Sequence, residues 1–244
     1  MLRSMPGPVA LVGAGEFLAP MAEIDRGLLA AVGRDRVRVV VLPTASWPDG
    51  DETFRRWADM GVAHFSSLGA EVEPVLVRNV AEGFDGAALQ AVGEADLVYL
   101  SGGHPRHLLG VLQGSPLGTA VRAANERGAA IAGCSAGAMA IVGRTVDLHF
   151  LRAIRMPLPF PLRWPDGLGL APGVAVIPHY DRWPEPFAAI VALQSPRGGV
   201  VLGIDEDTAA VGRDGAWQVH GAGRVTVWRG RHRERFRGGD AFRL

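Results

Sequence analysis

The sequence has very little cysteine: Cys134 is the single one among 244 residues. One cysteine cannot form an intrachain disulfide, which excludes a disulfide-stabilised secreted fold. The apolar stretch Pro8 to Val12 spans about five residues, fewer than the ~7 that a secretory signal core needs. We interpret this stretch as a first buried strand and expect a cytoplasmic protein.

Net charge and long apolar runs are also missing. The 25 Lys and Arg residues balance the 25 Asp and Glu residues, which leaves no electrostatic footprint for nucleic acid or an anionic membrane. No run approaches the ~18 apolar residues of a membrane span. We expect no nucleic-acid partner and no membrane partner. A small peptide or amino-acid-derived substrate fits the balanced charge better. The oligomeric state is left open, with a homodimer among the options.

Short apolar runs alternate along the chain with longer segments of helical periodicity. Runs that are apolar on both faces are typical of a mostly parallel sheet covered by helices. The predicted strands are Val9 to Val12, Val37 to Leu42, Val72 to Val77, Leu97 to Leu100, Ala129 to Ala132, Val174 to Ile177 and Val200 to Ile204. The predicted helices lie near Ala19 to Val32, Asp51 to Leu68, Gly86 to Val92, Pro105 to Leu112, Leu117 to Arg127 and Glu185 to Leu193.

This order predicts a doubly wound, flavodoxin-like α/β fold, formed as a single domain over residues 1–244. The pattern changes after Ile204, where apolar runs flank Asp214-Gly215. An Asp-Gly pair between two such runs predicts a C-terminal antiparallel hairpin.

One apolar run stops in a Gly-x-Ser-x-Gly pattern, Gly133-Cys134-Ser135-Ala136-Gly137. In a nucleophile elbow, a serine occupies a tight strand-to-helix turn, and its neighbours are small because larger side chains would clash with adjacent backbone. The flanking sequence fits a strand-to-helix turn, since apolar residues precede the motif and small apolar residues follow it. Ser135 is therefore a candidate nucleophile.

Polar residues follow several predicted strands, and Pro178-His179 follows Val174 to Ile177. Ligands of open α/β sheets bind outside the carboxyl ends of the strands, where such side chains converge. A serine hydroxyl needs an adjacent base at neutral pH, and histidine, with an intrinsic pKa near ~6.5, is the usual one. We expect His179 to lie near Ser135 and to act as its general base.

Backbone amides in a glycine turn can stabilise a developing oxyanion, because they need no side-chain reorganisation. Ser101-Gly102-Gly103 forms such a turn directly after a predicted strand. One of the Gly102 or Gly103 amides would complete an oxyanion hole with the amide of Ala136, which follows the nucleophile. We assign the hole to Gly103 and Ala136.

The carboxylate behind the base is the least defined part of this site. Asp147 is the one acidic residue between Ser135 and Asp166, and we assign it as the catalytic residue that orients His179. Asp205 and Glu206, after the next strand, remain open alternatives for that role.

Candidate substrate contacts lie at the same strand ends. A glutamate there is placed to meet a substrate ammonium, and an arginine can pair bidentately with a substrate carboxylate. The substrate-binding candidates are Glu16, His104, Arg182 and Glu206.

Cofactors and metals are not expected. Gly13-Ala14-Gly15-Glu16 resembles half of a dinucleotide-binding loop but lacks the third glycine. His104, His107 and His149 are not accompanied by acidic or cysteine ligands at metal-binding spacing. A thiol nucleophile at Cys134 is a further hypothesis, but the serine holds the central position between the two glycines, and Cys134 would point back toward the sheet.

Four motifs together resemble one known family. They are Ser101-Gly102-Gly103, Gly133-Cys134-Ser135-Ala136-Gly137-Ala138, Gly167-Leu168-Gly169-Leu170 leading to Pro178-His179-Tyr180, and Gly203-Ile204-Asp205-Glu206-Asp207-Thr208-Ala209. Over most of its length the chain is similar to the dipeptidase E and cyanophycinase family of serine peptidases, within the class I glutamine amidotransferase-like superfamily. The resemblance implies that fold, with Ser135 as nucleophile, His179 as base and an oxyanion hole near Gly103 and Ala136.

Two departures from the family pattern bear on activity. Asp181-Arg182-Trp183-Pro184-Glu185-Pro186 stands where cyanophycinases have an arginine-rich continuation after the histidine, which argues against the Asp-Arg polymer as substrate. No carboxylate matches the family's triad acid at its usual spacing. We expect a dipeptidase-like serine hydrolase that cleaves a small peptide or amide through an acyl-enzyme on Ser135. The alternative is a catalytically silent small-ligand-binding protein of the same fold.

Overall fold

The computed structural model describes residues 5–146 and 162–244. The described α-helices are α1 (Ala22–Val32), α2 (Asp51–Ser67), α3 (Gly86–Glu94), α4 (Pro105–Gly114), α5 (Pro116–Arg127), α6 (Ala136–Ile141) and α7 (Glu185–Leu193). The strands are β1 (Val9–Val12), β2 (Arg38–Leu42), β3 (Glu71–Pro74), β4 (Leu97–Leu100), β5 (Ala130–Cys134), β6 (Val174–Ile177), β7 (Val200–Ile204), β8 (Thr208–Arg213), β9 (Ala216–Gly221), β10 (Arg224–Arg229), β11 (His232–Arg237) and β12 (Ala241–Arg243).

The larger sheet contains eight of these strands in the order β12-β9-β8-β1-β5-β4-β2-β3. Strands β1 to β5 pair in parallel, and β1, β4 and β5 are buried at every position, as their apolar sequences predict. Edge strand β3 is less apolar and ends at Pro74, short of the predicted Val77. One apolar core lies between this sheet and helices α3 to α6, and a second lies between its other face and helices α1 and α2. The predicted doubly wound, mostly parallel α/β class is therefore confirmed.

The predicted C-terminal hairpin is also confirmed. Strands β8 and β9 pair antiparallel, and Arg213 opposite Ala216 closes a two-residue loop of Asp214 and Gly215. Both loop residues have positive φ, +50° and +76°, which is the conformation that favours Asp-Gly in such hairpins. Strand β12 extends the hairpin by pairing antiparallel with β9, and two further antiparallel strands, β10 and β11, follow the hairpin in the chain and pair with each other.

Strands β6 and β7 differ from expectation because they do not join the larger sheet. They pair with each other in parallel, and β10 pairs antiparallel with β7, in a four-stranded sheet of order β11-β10-β7-β6. The edge of β1 that faces away from β5 is occupied by β8, which runs antiparallel to β1. A parallel partner therefore cannot add there, and β6 and β7 form a smaller sheet whose outer face packs against α7.

The carboxyl ends of β1, β4 and β5 lie side by side at one edge of the larger sheet. The turn after β7 leads directly into β8, so the end of the smaller sheet is carried to the same region. Among the described residues, no helix combines the length and the apolar character that crossing a membrane requires.

Candidate active site

Ser135 occupies the turn between β5, which ends at Cys134, and α6, which begins at Ala136. Its backbone has φ +49° and ψ −106°, an uncommon conformation for a residue with a side chain. Hydrogen bonds hold the turn on both sides: the Ser135 amide donates to Val12 O at 2.9 Å, and the Met139 amide donates to Ser135 O at 3.0 Å. Such a strained conformation persists only where surrounding contacts fix it, and it is frequent at functional sites.

The flanking glycines are required by close backbone contacts. A Cβ added to Gly133 would lie 2.5 Å from the carbonyl carbon of Gly137, and a Cβ on Gly137 would lie 2.2 Å from Leu100 O. Both distances are far shorter than a carbon atom allows, so only glycine fits. The pattern of small residues predicted from the motif therefore has a direct steric cause.

His179 brings an imidazole to this turn from the end of β6. Its Nε2 lies 3.1 Å from Ser135 Oγ, although the two residues belong to strand ends of different sheets. The His179 backbone is left-handed, with φ +50° and ψ +40°, and its side chain is about 40% exposed. The structure thus brings together the two residues that the sequence predicts as nucleophile and base.

Glu206 lies behind this histidine. Its Oε1 is 2.9 Å from His179 Nδ1, and its Oε2 accepts hydrogen bonds from Nε and Nη2 of Arg182 at 3.1 and 2.8 Å. The Glu206 amide donates to Asp181 Oδ1 at 2.9 Å, which fixes the backbone beneath the carboxylate. The hydrogen bonds from Arg182 and then from His179 lower the pKa of Glu206, so this group is ionised at neutral pH.

An ionised carboxylate can only accept hydrogen bonds, so Nδ1 of His179 carries the proton. The Nε2 lone pair is then directed at Ser135 Oγ, as a general base requires. The Ser135–His179–Glu206 arrangement can therefore remove a proton from the serine hydroxyl.

The three acids considered from the sequence have different positions. Asp147 lies outside the described residues. Asp205 is buried and accepts a hydrogen bond from the Arg224 amide at 3.0 Å, and burial raises the pKa of its carboxyl. Glu206, the third, contacts His179 directly. We therefore propose below that Glu206 is the acid of the site.

The turn after β4 faces the same serine. The Gly102 amide donates to Glu16 Oε1 at 2.7 Å, so it is unavailable to a substrate. Gly103 has φ +133°, and a Cβ there would lie 2.4 Å from Ala45 O, so this position also requires glycine. Within residues 5–146 and 162–244, the amides of Gly103 and Ala136 donate to no backbone or side-chain acceptor. Both remain candidates for an oxyanion hole.

Glu16 differs from its expected role as a substrate contact. It is 5% exposed, with Oε1 bonded to the Gly102 amide and Oε2 2.7 Å from Cys134 Sγ. Both carboxylate oxygens are thus occupied by protein donors below the turn, and no substrate ammonium can reach them. Sequence alone could not reveal this, because burial of a polar residue in a glycine-rich loop leaves no pattern.

Cys134 points away from the site, as its place in the motif predicts. The side chain is fully buried, and burial together with the negative charge of Glu16 raises the pKa of its thiol well above the usual value. A protonated, inaccessible thiol is a poor nucleophile, which argues against the thiol-enzyme hypothesis.

The remaining substrate candidates are on the surface of the site. His104 precedes α4, and its Nε2 lies 2.8 Å from Asp49 Oδ1. Arg182 is 70% exposed and is already bonded to Glu206, a link that no sequence signal indicated. His107 contacts the Arg78 carbonyl oxygen, and His149 lies outside the described residues. Among the residues that the structure describes, no cluster of three His, Cys, Asp or Glu side chains could hold a metal ion.

Comparison with known proteins identifies the family of this chain. Residues 10–219 match the model of peptidase family S51. A cyanophycinase from Trichormus variabilis is 31% identical over 228 residues, which are 90% of this chain and 72% of that protein. A cyanophycinase from Geminocystis herdmanii is 29% identical over 234 residues, which are 93% of this chain and 82% of that protein.

A solved structure is similar over nearly the whole chain. The crystal structure of a peptidase from an acI-B1 Actinobacterium has a TM-score of 0.85 and 27% identity, and covers 99% of this chain and 98% of that one. The matches confirm the family resemblance that the sequence motifs indicate.

Proposed function

Because this chain belongs to peptidase family S51, we propose that it is a serine peptidase whose nucleophile is Ser135, whose base is His179 and whose acid is Glu206. The observation that carries the proposal is the pair of distances through the imidazole, 3.1 Å from Ser135 Oγ to Nε2 and 2.9 Å from Nδ1 to Glu206 Oε1. Histidine bonded on one side to a hydroxyl and on the other to a carboxylate is the arrangement that activates serine.

In this proposal, Ser135 Oγ attacks the scissile carbonyl carbon while His179 Nε2 takes the hydroxyl proton. The amides of Gly103 and Ala136 stabilise the oxyanion of the tetrahedral intermediate. As the C–N bond breaks, the imidazolium gives its proton to the leaving amine, and an acyl-enzyme forms on Ser135. A water molecule, deprotonated by the same imidazole, then hydrolyses the ester and frees the serine.

We infer a small peptide, such as a dipeptide, as the substrate. The two relatives described above are cyanophycinases, but the segment after Tyr180, Asp181-Arg182-Trp183-Pro184, is not the arginine-rich continuation that the sequence resemblance to cyanophycinases leads us to expect. Arg182, whose Nη2 bonds Glu206, still exposes about 70% of its side chain and could meet a substrate carboxylate. We also propose a single domain and a cytoplasmic location. The single, buried and free Cys134 fits a reducing compartment.

The test is a screen of purified protein against Asp-X, Glu-X and β-aspartyl dipeptides, with Ser135→Ala as the matched control. We expect wild type to release free amino acids from at least one of these classes and Ser135→Ala to release none above background. Hydrolysis by Ser135→Ala at the wild-type rate would contradict the nucleophile assignment, and no hydrolysis of any dipeptide would contradict the substrate class.

The catalytically silent alternative rested on the lack of a carboxylate behind the base. Glu206 Oε1 lies 2.9 Å from His179 Nδ1, so that support is gone. No observation in the described part of the chain favours a binding-only protein.

A further inference from the structure

Glu16 connects three strand ends below the nucleophile. It follows β1, its Oε1 accepts from the Gly102 amide beyond β4, and its Oε2 lies 2.7 Å from Cys134 Sγ at the end of β5. The strands lie in the order β1-β5-β4, so this side chain reaches across the end of β5. These partners are 86 and 118 residues away in the chain, and the side chain is 5% exposed.

The bond to Gly102 sets the position of the glycine turn relative to the serine. A Cβ placed on Gly102 would lie 2.6 Å from Glu16 Oε1 and 3.5 Å from Ser135 Cβ, so Gly102 is held between these two side chains. On its other side the turn is held by Ala45, whose carbonyl oxygen accepts from the His104 amide at 2.7 Å. The peptide between Gly102 and Gly103 is thus fixed at both ends, and it carries the Gly103 N–H.

We propose that Glu16 is a positioning residue, which holds the Gly102 amide so that the next amide, Gly103 N–H, points at the oxyanion site beside Ser135. The inference rests on the proposed function, because it concerns the oxyanion hole of that reaction. Glu16 touches neither substrate nor the reacting atoms, and it acts through the backbone.

The acceptor oxygen, rather than the negative charge, is what this role needs. Glutamine keeps a carbonyl oxygen at the same distance from the backbone, so Glu16→Gln can still accept from Gly102. Alanine leaves the buried Gly102 N–H without an acceptor, and the turn is then free to rotate toward another one. Aspartate keeps the negative charge, but it is shorter by one methylene, so its oxygens lie farther from the Gly102 amide.

The test measures the second-order rate constant for modification of Ser135 by a fluorophosphonate probe, whose phosphoryl oxygen needs the oxyanion hole during attack. Loss of one oxyanion-hole donor lowers kcat by about 10²- to 10³-fold, so a misdirected donor should cost about 10- to 100-fold. We expect Glu16→Ala and Glu16→Asp to react that much more slowly than wild type, and Glu16→Gln to react within about threefold of it.

Two controls separate this role from a purely structural one. The first is recovery of the labelling rate in Glu16→Gln, which restores the acceptor oxygen without the charge and so shows that Glu16 acts through its bond to Gly102. Cys134→Ala removes the other partner of Glu16 and should keep the labelling rate within about threefold of wild type. If Glu16→Ala does not fold, Glu16→Asp carries the comparison.

Equal labelling of wild type, Glu16→Ala and Glu16→Asp would overturn the proposal. So would a Glu16→Gln variant that is as slow as Glu16→Ala, because the charge would then be the important property. An equal loss in Cys134→Ala would assign the effect to the β5 end instead. Failure of wild type itself to be labelled at Ser135 would contradict the proposed function, which is a separate outcome.

Discussion

The two halves of the site are held in different ways. The nucleophile half, defined as Ser135 with Glu16, Gly103 and Ala136, lies at the ends of buried parallel strands and is fixed by backbone contacts. The base half, defined as His179, Glu206 and Arg182, is fixed by hydrogen bonds between charged or titratable side chains that are 30% to 70% exposed.

This difference separates two requirements of catalysis. In the proposed reaction, the direction of the serine and of the oxyanion donors must be rigid, and close packing of backbone achieves that without any titrating group. The base must gain and lose a proton in each cycle, which exposed, charged partners allow. Substitutions in the nucleophile half should therefore change stability and geometry as well as activity, whereas those in the base half should change activity with little loss of fold.

The largest effect should come from removing one central group from each half. Ser135→Ala and His179→Ala should each lower peptidase activity by roughly 10⁴- to 10⁶-fold, and the double variant should lose no more than either single one. The two halves act as one unit, so the losses are not additive. Steady-state rates on the best dipeptide of the screen measure this, and multiplicative losses would show that the halves act independently.

The next largest loss of activity should follow removal of the Glu206 carboxylate, which lies behind the base. Glu206→Gln should lower activity by roughly 10²- to 10⁴-fold while the fold is retained, because the neutral amide no longer stabilises the imidazolium. Asp205→Asn is the matched control: it removes the neighbouring charge but keeps an acceptor for the Arg224 amide. We expect the control to retain near wild-type activity, and an equal loss in both variants would contradict the assignment of Glu206.

Stability should respond to a substitution directly beside the nucleophile half, at Gly137. Gly137→Ala places a Cβ 2.2 Å from Leu100 O and should lower the free energy of unfolding by about 1–3 kcal/mol or more. Gly110→Ala, at an exposed position of α4, meets nothing within 4 Å and should raise it by up to about 1 kcal/mol through helix propensity. Urea denaturation measures both, and equal effects of the two would contradict the packing account.

The smallest effect should come from Arg182, at the exposed edge of the base half. Its hydrogen bonds are the main reason that the pKa of Glu206 is lowered. A carboxyl whose folded pKa is depressed stabilises the fold above its unfolded pKa, about 4.3, and this contribution is lost as the pH falls through the folded pKa. Arg182→Met should therefore lower the urea midpoint slightly at pH 7, and the gap should close below about pH 4.

High salt should also reduce the difference in urea midpoint between Arg182→Met and wild type, since the Arg182–Glu206 pair is exposed. The rate at which a fluorophosphonate without a carboxylate labels Arg182→Met at neutral pH should stay within about threefold of wild type, because Glu206 still contacts His179. A gap in urea midpoint that persists unchanged at pH 3 would show that Arg182 acts by packing and not by charge.

Much of the fold follows from the sequence. Continuous apolar runs such as Val9 to Val12 and Leu97 to Leu100 have one stable place in a covered parallel sheet, and the strands are where the pattern predicts them. The membership of β6 and β7 in a second sheet was not predicted. Their sequences are equally apolar in either sheet, and the choice depends on β8 occupying the edge of β1, a contact between distant segments.

The candidate site could likewise be predicted from the sequence only in part. The serine turn and the histidine could be predicted because steric limits and acid-base chemistry restrict the residue types there. Glu206 could be named only as an alternative, since it is 27 residues from His179 and follows Asp205, another acid, directly. The buried position of Glu16 depends on a backbone amide and a thiol far away in the chain, and neither has a sequence signature.

The most direct test of the account asks whether the base half activates the nucleophile half. Wild type, Ser135→Ala and His179→Gln would be treated with a fluorophosphonate, and the adduct would be located by peptide mass spectrometry. We expect one adduct, on Ser135, which is absent in Ser135→Ala and forms at least about 10³-fold more slowly in His179→Gln. An adduct on another residue, or equal labelling rates in wild type and His179→Gln, would contradict the central claim.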